Sequence, residues 1–132
     1  MIDEATVTQV VQSVSERMAD PQYAQIAIGS FAQEHADAGR FLTAHADELG
    51  GSEGVVHAVF HAEVLNECFR AHLGRSLPAL GFAMLDHAAT GDPSARFADT
   101  QPALSSYVAS NVDDPTMRRL LAIVGLAMHA AA

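Results

Sequence analysis

Gly54-Val-Val-His57-Ala-Val-Phe-His61-Ala-Glu-Val-Leu-Asn66-Glu-Cys68-Phe-Arg70-Ala-His72-Leu-Gly74 is the stretch on which the fold turns. Read at about 100° per residue, Val55 and Val59 fall on one side, and Val56 and Phe60 on an adjacent one. Val64, Leu65 and Phe69 occupy most of the remainder. A helix apolar on several sides is enclosed by other helices. Gly50-Gly51 ends whatever precedes it, because glycine fits the left-handed position after a helix. Ser52 is placed to cap the new helix, with Glu53 at the positive end of its dipole. Two polar strips remain. Glu63, Asn66, Glu67 and Arg70 read as the solvent strip. His57, His61, Cys68 and His72 form the other, with Glu53 at its top.

Outward from this helix, the apolar spacing predicts more helices and no strands. Val7, Val10, Val11, Val14 and Met18 follow the i, i+3, i+4 pattern of one buried face, giving a helix over residues 3–18. Asp20-Pro21 opens a second, with Tyr23, Ile26, Ala27 and Phe31 inward. The segment 21–49 reads as one helix or two. Gly39, a poor helix former, favours a break at 35–39 with Asp37 capping a new helix.

After Gly74, Ser76 is expected to cap a helix with Pro78 in its first turn, carrying Leu77, Leu80, Met84 and Leu85. A short helical stretch covers Arg96-Phe97-Ala98, and Pro102 starts another helix. Asp114-Pro115 caps the last, in which Met117, Leu120, Leu121, Val124 and Met128 form a wide apolar face. No stretch alternates with period two over a strand's length. The chain therefore reads as all-α: one domain over 1–132, six or seven helices packed around a central buried helix at about 53–73.

Composition narrows the function classes. The chain has 132 residues, 49% of them hydrophobic, which is enough for a real core and argues against disorder. Its formal charge is −9, every basic residue is Arg, and Arg118-Arg119 is the one adjacent basic pair, so a nucleic-acid partner is not expected. One cysteine rules out an internal disulfide. Met-Ile-Asp-Glu lacks the charge and apolar run of a signal peptide. The longest apolar run, Leu120 to Met128, is shorter than the roughly 20 residues a membrane span needs. These features predict a soluble, cytoplasmic protein.

The histidines carry the most specific chemistry. His57 and His61 at i and i+4 share one side of a helix and can chelate one ion. Cys68 and His72 repeat the spacing too far along, about 16 Å at 1.5 Å per residue, to share it. Further ligands would come from another helix, with His35, His45, His87 and Glu34 as candidates. Hemerythrin-like proteins resemble this chain as small bundles with a His-x-x-x-His helix. Their His-x-x-x-Glu helix is missing here, and His87 with Asp92 matches only their last spacing, across Gly91. The ferritin-like Glu-x-x-His pairs are absent, as is the zincin Glu, since residue 58 is Ala. A globin-like reading would make His87 the proximal ligand but lacks the heme-pocket aromatics.

Cys68 sits in an apolar helix, where thiols are usually inert. No oxyanion donor or nucleophile elbow is evident. The loop Gly50-Gly-Ser-Glu-Gly54 lacks phosphate-loop spacing. With no catalytic residue to assign, the sequence points away from an enzyme. It points to a module that binds a partner protein or a second copy of itself, using Met117, Leu121, Val124 and Met128 of the last helix and no cofactor. The alternative is a zinc-, iron- or heme-binding bundle built on His57 and His61 as sensor, store or oxidoreductase.

Overall fold

Asp and Pro set half of the helix starts. A computed structural model describes residues 1–132 as eight helices and no strands. They are α1 (Glu4–Arg17), α2 (Tyr23–Glu34), α3 (Ala36–Ala44), α4 (Ser52–Leu73), α5 (Phe82–Ala88), α6 (Pro93–Thr100), α7 (Pro102–Asn111) and α8 (Pro115–Ala131). Asp3, Asp92 and Asp114 each accept a backbone N–H at the start of α1, α6 and α8, and Pro occupies the first turn of α6, α7 and α8.

The helix count is thus eight, where six or seven were expected. The segment 21–49 is broken, as its glycine suggested, but the break falls at His35, whose extended backbone separates α2 from α3. Asp37 lies inside the first turn of α3 and does not cap it. Ser52 likewise begins α4 without capping it; Gly51, at φ 102°, occupies the cap position. Ser76 and Pro78 belong to no helix. Residues 75–81 run irregularly, yet Leu77 and Leu80 in that segment are buried. The 96–98 stretch grows into a full helix, because Asp92 and Pro93 start it earlier.

The architecture has two hubs. α4 packs against α1, α2, α3 and α8, and α8 packs against α4, α5, α6 and α7. The second hub was not expected. Every residue of α8 from Leu120 to Met128 is buried, so its all-round apolar character encloses it within this chain. That corrects the assignment of Met117, Leu121, Val124 and Met128 as an interface: they are 8%, 0%, 0% and 0% exposed. Gly125 allows this enclosure, since a Cβ there would enter the Phe97 ring of α6. One cluster of 33 buried hydrophobic residues runs through the molecule. No helix is long and apolar enough to cross a membrane.

Candidate functional site

The polar strip of α4 read as solvent-facing is largely buried, and the His-Cys strip is exposed only at its ends. Glu63 and Asn66 are buried, at 4% and 1% exposure, and Glu67 and Arg70 are half-buried. His57 and His72 are exposed instead. The α4 strip meets the polar end of α2, so its buried polar groups are matched by polar groups.

That junction is a directed hydrogen-bond chain. The Leu80 N–H donates to His35 Nδ1 at 3.2 Å. A backbone N–H can only donate, so Nδ1 is bare and the ring proton sits on Nε2. His35 Nε2 then donates to Asn66 Oδ1 at 3.1 Å. Asn66 Nδ2 donates onward to Glu34 Oε2 at 3.2 Å and Glu63 Oε1 at 3.4 Å. Arg70 closes the chain with Glu34, at 2.9 and 3.0 Å, and Glu67, at 2.7 Å. The network ties α2, α4 and the irregular segment before α5 into one unit. Glu63 Oε2 is its single buried polar atom without a partner. Burial pushes the Glu63 carboxyl up to about 7, against the lowering effect of the Asn66 hydrogen bond. An unpartnered oxygen is the natural seat for the proton that such a carboxyl retains.

On the other flank, His61 Nδ1 and Tyr107 Oη are 2.8 Å apart. Burial, then the neighbouring His57, lowers the His61 pKa. Burial raises the Tyr107 phenol above its ordinary range. The hydrogen bond is therefore shared by a neutral phenol and a neutral imidazole. The spacing after Pro102 places Tyr107 on an inward helix face but gives it no site role; its partner is 46 residues away, and no local spacing signals the pairing.

The other candidate ligands scatter. His35 is committed within the α2–α4 network. His45 pairs with Glu48 at 3.3 Å, and His87 is exposed at the end of α5. No group of three or more His, Cys, Asp or Glu side chains is placed to hold a metal ion. Burial, then Glu67, pushes the Cys68 thiol up to about 12, which leaves it protonated and a poor nucleophile.

Two of the surface cavities differ in character. An open groove of about 630 Å³ lies between α2, α3 and the first turns of α4. Ala32, Gly39, Ala44, Val55, Val56 and Val59 are among its lining residues, and Val56 is 44% exposed. A second cleft of about 430 Å³ lies between α5, α6 and α8 and carries charged and imidazole groups. Comparison with protein-family models, curated proteins and solved structures finds no match to this chain.

Proposed function

We propose that this protein is a non-enzymatic helical module that self-associates through the face made by α2, α3 and the N-terminal half of α4. The observation that carries this reading is the apolar groove beside exposed Val56. Isolated surface hydrophobics are ordinary, but a contiguous apolar concavity marks an interaction surface. Ala32, Gly39 and Ala44 along it are small enough to let another helix approach closely.

A second copy of the chain is the occupant that its own surface favours. The remaining exposed large hydrophobics are Met1, Met18, Ile26 and Phe82, on separate elements, and they form no stripe that could fill the groove. The groove's complement is then the same face of a second copy, related by a two-fold axis with Val56 near it. A standard contact of about 800 Å² per partner would use about an eighth of the 6659 Å² surface. The alternative of a zinc, iron or heme protein built on His57 and His61 draws no comparable support, since His61 is engaged with Tyr107 and no third ligand converges.

Light scattering coupled to size exclusion tests the proposal. The wild-type mass should rise from monomer to dimer over about a hundredfold range of concentration, as mass action requires. Val56→Glu should remain monomeric with an unchanged melting temperature when both proteins are compared as monomers. A wild type that stays monomeric throughout, or a Val56→Glu variant that dimerises equally well, would overturn the reading.

A further inference from the structure

The cleft between α5, α6 and α8 differs from the groove in its chemistry. His87 enters it from α5, Arg96 and Asp99 from α6, and His129 from α8, with Met84 and Leu126 beside them. Three of these groups are left with uncommitted donors or charge by the contacts they make elsewhere.

His129 is the best defined. The Ile2 N–H donates to Gln101 Oε1 at 3.0 Å, which fixes the orientation of that amide. Gln101 Nε2 then faces His129 Nδ1 at 3.1 Å. An amide nitrogen donates, so Nδ1 accepts and the ring proton lies on Nε2. Gln101 is only 2% exposed, whereas His129 is exposed and lines the cleft. A buried amide thus fixes the tautomer of a surface histidine and leaves Nε2–H as its free donor.

Arg96 commits Nη1 to the carbonyls of Ala88 and Thr90, at 3.0 and 2.7 Å, which closes the end of α5. Its Nε and Nη2 make no hydrogen bond within the chain. A guanidinium offering two adjacent N–H groups suits the geometry of a carboxylate or phosphate. Asp99 forms no ion pair, although it sits one helical turn from Arg96.

We propose that this cleft binds a small oxyanion, the carboxylate or phosphate group of a compact molecule, held by Arg96, His87 and the Nε2–H of His129. Asp99 sits on the same cleft and weakens the binding of a bare anion. It suits a ligand that carries a hydrogen-bond donor next to its acid group. The site is independent of the α2–α3–α4 groove, so either proposal can fail alone.

Titration of ¹⁵N-labelled full-length protein with inorganic phosphate, and separately with acetate, tests it by NMR. One or both should give saturable shifts at residues 87, 96 and 129, with dissociation constants of about 1–10 mM; the tighter of the two identifies the oxyanion. His87→Gln should weaken binding about tenfold, while His57→Gln, an exposed histidine outside the cleft, should leave it unchanged. Asp99→Asn should tighten binding several-fold. Asp47→Asn, in the turn after α3, removes the same charge elsewhere and should not. Non-saturating shifts with both anions would overturn the proposal. So would equal effects of Asp99→Asn and Asp47→Asn, because they would show a response to net charge alone.

Discussion

Removing the Asn66 side chain would strand two buried groups at once, His35 Nε2–H and Glu63 Oε1, while Glu34 Oε2 would keep its bond from Arg70. A surface asparagine costs little to truncate, but buried groups left without partners cost about 1–3 kcal/mol each. Asn66→Ala should therefore destabilise by about 3 kcal/mol in urea unfolding, with a matching loss of protection at the Leu80 amide. A cost near zero would return Asn66 to the solvent strip. Glu63 and His61 give stability opposite dependences on pH. The Glu63 carboxyl is raised in the folded state, so its contribution is complete below about 4.5 and is lost as pH rises through about 7. His61 is lowered, so its contribution is complete above about 6.5 and is lost as pH falls through its folded value. Glu63→Gln should gain on the wild type between pH 5 and 8, by up to about 3 kcal/mol. His61→Gln should flatten the loss on the acid side. Unfolding curves at pH 5, 6.5 and 8 check both signs.

At the scale of the element, two mid-helix glycines should respond oppositely to the same substitution. Gly29 in α2 is exposed, and a Cβ there would meet nothing within 4 Å. Gly29→Ala should stabilise by about 0.5–1 kcal/mol, through helix propensity and a less flexible unfolded chain. Gly125 in α8 lies against the Phe97 ring, and an added methyl must displace that buried ring. Gly125→Ala should destabilise by about 1–3 kcal/mol, the usual cost of overpacking, as read by thermal unfolding. Both glycines sit in apolar helical surroundings in the sequence, so their spacing alone does not tell them apart. The helix starts were more legible, because an Asp cap and a Pro in the first turn act within three or four residues. Ser76-Leu-Pro78 misled for the same local reason: it has the residues of a helix start, yet Leu77 and Leu80 are drawn into the core as irregular chain.

For the molecule as a whole, charge and the proposed association act against each other. A formal charge of −9 on each copy makes like molecules repel. If the α2–α3–α4 face joins two copies, the dimer should tighten between about 0.1 and 1 M salt, as the screening length falls from about 10 Å to about 3 Å. Sedimentation at the two salt concentrations reads the change, and weakening with salt would show that ion pairs, not the apolar groove, carry the contact. Assigning the interface to α8 was a mistake of this scale. Met117, Leu121, Val124 and Met128 have the pattern of an outward apolar face, but four neighbouring helices cover it.

The sequence by itself determined the all-helical class and the positions of α1, α7 and α8; it left 21–49 open as one helix or two and marked only the 96–98 core of α6. Periodicity, caps and glycine act over a few residues, and those interactions are written in neighbouring positions. Only the tertiary structure decided which polar strip of α4 was buried. Asn66 needs His35 and Glu34, 31 and 32 residues away, to offset the cost of its burial. It also decided that His61 pairs with Tyr107 and that His129 presents its Nε2–H. In each case the partner comes from a distant element, and the free energy of burying a polar group depends on that partner, which residue spacing does not encode.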